Sequence, residues 1–457
     1  MPLLCVKISG IMDELRKNDV YEAQIDAFSA DGGGVCRIAG RAVFVPRALP
    51  GEQWRVRIVK ANKTAVWGRG EALLSAPSEA RIEPKCPVFG RCGGCAGMHM
   101  RYGAELEFKL SRLNDALRRI GALELRADGI LGADTLDGYR NKGIYNFAPG
   151  PVCGFYRSRS HDVVSTPRCF LQPEAFDRAA AALLAWMKSR GVSAYDEHTG
   201  RGLVRHLYLR RSSEGFLACI VAAGPLPDGA DGALRAACPE LTGVLLCLND
   251  RPGNGVLTDS MKTLWGSPYV HETLCGARFR LSPLTFFQIN TAQAEKLYTL
   301  VREYALPAGK TVLDLYCGAG SIGLSAARDA ARLIGSDVVP SAVENARFNA
   351  AQNGVSSAEY LCGDAGETAA RLAARGVRPD AVIVDPPRRG VSAELIDAVC
   401  AMATERLIYV SCDPATLARD LRLLAGRGYA AVRCRAVDMF PRTAHVEAVV
   451  LLTKAHN

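Results

Sequence analysis

A chain of 457 residues is too long for one hydrophobic core and calls for about two to four domains. Its 49% hydrophobic and 23% charged residues make an ordinary globular composition, and no uninterrupted apolar run is long enough to cross a bilayer. The 56 Lys and Arg against 47 Asp and Glu leave a net charge of +9, which favours polyanionic partners over acidic-surface ones. Sixteen cysteines could mean a disulfide framework, but MPLLCVKISGIMDELRKNDV lacks the pattern of a secretory signal, so a reduced cytoplasm is expected. The cysteines must then be sorted into core filler, metal ligands and nucleophiles.

After a charged leader, residues 20–74 alternate apolar and polar positions in short runs separated by turn signals at Asp31-Gly32-Gly33-Gly34 and Pro50-Gly51, the pattern of a small antiparallel barrel. Arg37, Arg41, Arg47, Arg55, Arg57, Lys60, Lys63 and Arg69 are interleaved with Phe44, Trp54 and Trp67. Such a face binds RNA through cations and aromatics, or is a solvated basic face over core aromatics. Cys86, Cys92 and Cys95 follow, with Gly93-Gly94 between the last two. Close thiolates repel one another unless a cation holds them, so the cluster is a metal signal; Cys169 is the best later candidate for a fourth ligand. Four cysteines suit zinc as well as iron and sulfide.

ELEFKLSRLNDALRRI, residues 105–120, has helical periodicity and stops at Gly121. Residues 128–268 mix strand-like runs, LVRHLYLRR and GFLACIVAA, with the helix AFDRAAAALLAWMKSR. Arg140-Asn141-Lys142 and Gly154-Phe155-Tyr156-Arg157-Ser158-Arg159 are basic-aromatic loops, able to contact RNA or simply solvated.

From Lys310 the chain alternates apolar strands and helices, a doubly wound α/β unit for an adenosine-bearing cofactor. The turn Asp314-Leu315-Tyr316-Cys317-Gly318-Ala319-Gly320-Ser321 lacks the three-glycine spacing of a nicotinamide site and fits S-adenosylmethionine better. Asp337, Asp364 and Asp385 stand at later strand ends, where each could also cap a helix. In Leu407–Asp420, LIYVSCDPATLARD, Pro414 ends a buried strand and leaves Cys412 at its mouth. That is where ligands bind in an open α/β sheet, so the thiol is a candidate nucleophile; its alternative is a small buried hydrophobe.

On these residues the chain resembles the RNA (uracil-5-)-methyltransferases, most closely the iron-sulfur enzymes acting on 23S ribosomal RNA. The likeness runs from a TRAM-like barrel through the cysteine cluster to SPLTFFQIN, DLYCGAG, DPPRRG, SCDPATLARD and DMFPRTAHVEAV. It implies a Rossmann-like S-adenosylmethionine-dependent domain over 271–457, a central α+β iron-sulfur domain over 76–270 and an N-terminal small β-barrel over 18–75. It further implies a [4Fe-4S] cluster on Cys86, Cys92, Cys95 and Cys169. The cofactor positions would be Gln288, Tyr316, Ser321, Asp337, Asp364 and Asp385, with Ser321 where the family can have Asn and Asp337 where it often has Glu. Cys412 falls on the nucleophile and Glu447 on the base.

Carbon 5 of uracil is a poor nucleophile, so thiolate addition at carbon 6 is needed first, and a base must later take the carbon 5 proton. His445 is the rival to Glu447, since its ordinary pKa suits proton transfer. Phe286 or Phe287 could stack on a flipped base or belong to the core. The expected partner is RNA, 23S ribosomal RNA before tRNA, with neither DNA nor membrane, and the expected state is a monomer. Other readings are a non-catalytic iron-sulfur RNA-binding protein and an amino-group methyltransferase using Asp385-Pro386-Pro387.

Overall fold

The structure, a computed structural model, describes residues 15–454 and the backbone of Val6–Lys7, so most of the charged leader lies outside the described residues. The chain divides into two compact units, one of Met1–Arg112 with Phe440–Ala444, the other of Leu113–Met439 with His445–Asn457.

The first unit contains strands β1 (Val6–Lys7), β2 (Val20–Gln24), β3 (Ala27–Phe28), β4 (Gly34–Ile38), β5 (Arg41–Val45), β6 (Gln53–Ala61) and β7 (Val66–Leu73). Among the described residues they form one sheet in the order β1-β2-β6-β7-β5-β4-β3. Contacts between β2 and β4, which are not neighbours in that order, show that the sheet curls on itself. Alternate residues of each strand point inward, so Tyr21, Ile25, Cys36, Ile38, Val43, Val56 and Ile58 make a closed core of the kind a barrel encloses. Asn62 Oδ1 accepts from the Thr64 and Ala65 amides and turns the chain between β6 and β7. Helix α1 (Tyr102–Arg119) follows and runs across the boundary between the units.

Inside the first unit a buried carboxylate orders the rest. Glu105 Oε1 accepts from Lys109 Nζ at 2.7 Å and from the Arg442 amide at 2.6 Å, and Arg442 Nη1 donates to Oε2 at 3.4 Å. The Ala96 and Gly97 amides both donate to the Arg442 carbonyl, tying the segment after Cys95 to the DMFPRTA motif.

The second unit opens with β8 (Ile130–Leu131), β9 (Lys142–Ala148), β10 (Val152–Tyr156), β11 (Val163–Ser165), α2 (Glu174–Ser189), β12 (Val204–Ser212), β13 (Gly215–Ala222), α3 (Ala230–Ala237), β14 (Leu241–Leu248) and β15 (Met261–Gly266). Apart from β8, these strands make a sheet in the order β11-β10-β9-β12-β13-β14-β15, and α2 packs into the core beside it through Phe176, Leu183, Trp186 and Met187. After the hairpin β16 (Val270–Leu274) and β17 (Ala277–Leu281) comes the α/β half: α4 (Thr291–Ala305), β18 (Thr311–Leu315), α5 (Ser321–Ala326), β19 (Arg332–Asp337), α6 (Pro340–Gln352), β20 (Ala358–Cys362), α7 (Ala365–Ala374), β21 (Ala381–Val384), α8 (Ala393–Ala401), β22 (Arg406–Ser411), α9 (Pro414–Ala425), β23 (Tyr429–Val437) and β24 (Glu447–Lys454).

Its sheet runs β20-β19-β18-β21-β22-β24-β23-β8. Strands β18 to β22 are parallel, whereas β24 is antiparallel to both β22 and β23. β21 is buried throughout and β22 nearly so, as expected for parallel strands covered on both faces. The strand order reverses between β18 and β21, which opens a crevice at their carboxyl ends. No helix among the described residues is long and apolar enough to cross a membrane.

Candidate active site

Cys412 lies in the two-residue link between β22 and α9, since Ser411 ends the strand and Pro414 begins the helix. Asp413 caps that helix, its Oδ1 accepting from the Thr416 amide at 2.9 Å. Along α9, Thr416 Oγ1 donates to the Arg388 carbonyl at 3.0 Å and Arg419 Nη2 to the Arg389 carbonyl at 2.8 Å. Asp420, fully buried, accepts from the Val391 amide at 3.0 Å and from the Tyr409 hydroxyl at 2.7 Å. Gly390 has φ of +81°, and a Cβ there would lie 2.3 Å from Asp420 Oδ2, so DPPRRG needs its glycine. SCDPATLARD and DPPRRG are therefore two halves of one packed construction, which sets Arg388 beside the thiol.

Four charged or ionisable groups meet there. Burial, then the Glu447 and Asp385 carboxylates, push the Cys412 thiol up to about 11, while the Arg388 guanidinium, which hydrogen-bonds the thiol, opposes them. Glu447 is 4% exposed at the first position of β24, and burial followed by the charge of Asp385 raises it to about 8, again with Arg388 opposing. Burial alone lifts Asp385 to about 7, though the residue keeps some surface at the crevice. A carboxyl in this range can exchange protons near neutral pH. His445 is exposed, whereas Glu447 faces inward.

The rim of the sheet carries the other predicted residues. Tyr316 has φ of +66° directly after β18, unusual for a side chain of that size, and Gly318 has φ of +54°, where a Cβ would meet only open space. Asp337 ends β19 and braces that turn, Oδ2 accepting from the Gly318 amide at 3.0 Å and Oδ1 from the Val339 amide at 2.9 Å. Asp364 is the N-cap of α7, accepting from the Gly366 and Glu367 amides, so the capping role does apply to it. Ser321 is buried at the start of α5 with its hydroxyl 3.1 Å from Tyr298 Oη. Gln288 is buried ahead of α4, and its carbonyl accepts from Asn141 Nδ2 at 2.8 Å. Phe287 is 2% exposed and packs on Phe279, while Phe286 is 64% exposed.

A family model described as tRNA (Uracil-5-)-methyltransferase matches residues 261–455. An uncharacterized RNA methyltransferase of Halalkalibacterium halodurans is 36% identical over 448 residues, covering 96% of this chain and 98% of its own. One from Clostridium acetobutylicum is 34% identical over 452 residues, with the same coverage of 96% and 98%. The Pyrococcus abyssi tRNA (uracil-54, C5)-methyltransferase, solved in complex with S-adenosyl-L-homocysteine, superimposes with a TM-score of 0.78 at 26% identity over 94% of this chain and 99% of its own. The chain belongs to the RNA (uracil-5-)-methyltransferase family.

It is thus an S-adenosylmethionine-dependent RNA methyltransferase. The open glycine turn and the carboxylates along the strand ends fit such a cofactor, because ionised carboxylates keep acceptor capacity beyond the amides they already bind. For the expected iron-sulfur cluster the geometry offers less. Among the described residues no group of three or more Cys, His, Asp or Glu is arranged to hold a metal ion. Cys86, Cys92 and Cys95 are half-buried thiols in the first unit, Cys169 is half-buried in the second, and none is in a disulfide. The Gly94 amide donates to Cys92 Sγ at 3.4 Å, and burial pushes the Cys169 thiol up to about 11 against the opposing Leu171 and Gln172 amides.

One group's place beside the thiol was missed in the sequence, and the depth of another, the acid that leads the glycine turn, was not legible there. Only the fold shows Arg388 against Cys412. Asp314 is fully buried, with Oδ2 accepting from the Gly323 amide at 2.9 Å and Oδ1 unpaired, and burial raises it to about 7. Its signal is an acid inside the otherwise apolar strand TVLDL.

Proposed function

We propose that this enzyme methylates carbon 5 of a uridine in 23S ribosomal RNA, in the cytoplasm and as a monomer, with Cys412 as nucleophile and Glu447 as base. The observation that carries this reading is the coupling of Cys412, Glu447 and Asp385 in one crevice, with Arg388 as their counter-charge. S-adenosylmethionine, when bound, supplies an electrophilic methyl group. The Cys412 thiolate forms a bond to carbon 6 of the base and places the displaced electron pair on carbon 5 and the adjoining carbonyl. Arg388 stabilises the thiolate before addition. Once carbon 5 is methylated, Glu447 takes its proton, the ring double bond returns, and the carbon 6–sulfur bond breaks to restore the thiolate. Burial of Glu447 favours it over the exposed His445 as the group that keeps this proton from solvent. Exposed Phe286, two residues before Gln288, suits stacking on the flipped uracil.

The six residues Gln288, Tyr316, Ser321, Asp337, Asp364 and Asp385 form the proposed cofactor site. Residues 18–75 would serve as an RNA-binding barrel, 76–270 as a central module and 271–457 as the catalytic module. The barrel's charge is partly neutralised on its own surface, since Arg55 pairs with Glu22 and Arg57 and Arg69 with Glu71. Cys86, Cys92, Cys95 and Cys169 are the proposed ligands of a [4Fe-4S] cluster. Anaerobically purified protein should then be brown, with iron and sulfide in equal amounts; colourless protein with stoichiometric zinc would refute that ligand assignment.

Labelled cofactor and ribosomal RNA test the catalytic reading. Methyl transfer should disappear in Cys412→Ala, and nucleotide mapping should place 5-methyluridine in 23S RNA. Product confined to tRNA would instead support the tRNA enzyme, the reading favoured by the superimposed archaeal structure.

A further inference from the structure

A second built cavity lies in the central sheet. It has a volume of about 430 Å³ and is lined by residues of β9, β10 and β12, the loop after β10 and residues 195–198. That size suits a small ligand. Arg205, 3% exposed, forms part of its wall. Arg205 Nη1 donates to the Asn249 and Arg251 carbonyls at 3.0 and 2.8 Å, and the guanidinium lies over the Tyr195 ring at 4.5 Å. Its Nε is buried with no hydrogen-bond partner. A buried guanidinium so fixed, yet short of acceptors, is built for a ligand that brings them.

The rest of the lining is complementary. His206, 4% exposed, has Nδ1 at 3.0 Å from Asn146 Oδ1, which assigns the proton to Nδ1 and leaves Nε2 an acceptor. Burial, then the charge of Arg205, holds this ring down at about 4, so it stays neutral. Tyr156 and His161 stack at 4.8 Å and 18°, and both are hydrogen-bonded to Glu197, which sets their planes. Stacking rings, a fixed donor and a fixed acceptor are what a nucleobase needs. The wall includes Tyr156 of the loop Gly154–Arg159, whose Arg157 and Arg159 are exposed for phosphate contact.

The position suits the same RNA strand. Arg210 on β12 donates to the Thr285 carbonyl at 2.6 Å, beside Phe286 and Gln288, and His206 lies four residues back along that strand. Four residues of strand span roughly 13 Å, about four stacked nucleotides. We infer that this cavity takes an unstacked purine of the RNA substrate, a few nucleotides from the target uridine; purine is the choice because it offers the larger stacking area to Tyr156 and Tyr195. This rests on RNA being the substrate.

The test uses the full-length protein and fluorescence anisotropy with two dodecamers, one all uridine and one with adenosine at every third position. The adenosine-bearing oligomer should bind about tenfold more tightly, the contribution of one stacked base. Tyr156→Ala and Arg205→Met should both erase that preference, read as the ratio of the two oligomers' affinities in each variant. Because Arg205 is buried and its variant could misfold, the half-exposed Tyr156 position decides. No preference in the wild type, or a preference surviving in Tyr156→Ala, overturns the inference. AMP separates the two sources of the base: weak competition assigns the cavity to RNA, and AMP binding as tight as the oligomer's overturns that assignment in favour of a free nucleotide. Methyl transfer to bulk RNA in the same preparations reports separately on whether RNA is the substrate.

Discussion

At the scale of single residues, the site is an electrostatic balance around one sulfur. Two carboxyls and burial keep the Cys412 thiol protonated, and Arg388 pulls the other way. Removing either side should move its reactivity in opposite directions. At a fixed mildly alkaline pH, Glu447→Gln should speed alkylation of Cys412 by iodoacetamide, because it deletes a repelling charge. Arg388→Met should slow it, by about tenfold or more if the lost contact has the usual strength of a hydrogen bond to a charge. Mass spectrometry of the Cys412 peptide reads both rates; equal rates in all three proteins would remove Arg388 and Glu447 from the thiol's environment. The same balance sets the pH dependence of catalysis. Turnover should rise with pH as the thiol, at about 11, and Glu447, at about 8, lose their protons.

At the scale of elements, the carboxyl ends of the parallel strands concentrate buried acids. Asp314 on β18 is the sharpest case, with a carboxyl raised from 3.8 to about 7 by burial. The folded state therefore holds this proton over a pH range where the unfolded chain releases it. Stability from this group is full at acid pH and is lost as pH rises from about 4 through about 7. Asp314→Asn keeps an acceptor for the Gly323 amide and removes the charge. It should flatten the fall in stability between pH 5 and 8 by an amount on the order of 2–4 kcal/mol. Denaturant unfolding at several pH values checks this, and an unchanged slope would mean that the carboxyl is not proton-coupled to folding.

The strands and helices of this half were largely legible in the sequence, because apolar runs bounded by Asp, Gly and Pro encode them locally. Helix α1 was expected over 105–120 and lies at Tyr102–Arg119. The β6–β7 turn was not seen, since Asn62-Lys63-Thr64 turns the chain through a side-chain hydrogen bond without glycine. Neither Asp420 as the anchor of Val391 nor the cavity around Arg205 could be read, because both depend on residues brought together from distant strands and loops.

At the scale of the molecule, the two units share one economy of buried charge. In the first, Glu105 holds Lys109 and Arg442, and in the second, Asp420 holds the DPPRRG loop. Residues that look catalytic by type, such as Asp420 and Arg442, are in this arrangement structural. The residues proposed for chemistry, Cys412 and Glu447, are instead buried groups raised by burial and by neighbouring carboxylates, with Arg388 opposing. The most direct test of their role is to mix the purified enzyme and S-adenosylmethionine with substrate RNA carrying 5-fluorouridine, whose carbon 5 has fluorine in place of the proton that Glu447 is proposed to remove. A denaturation-resistant protein–RNA adduct linked through Cys412 and carrying the transferred methyl group is the predicted result. An adduct through another residue, or methyl transfer with no adduct in protein shown to be active on unmodified RNA, would contradict the account.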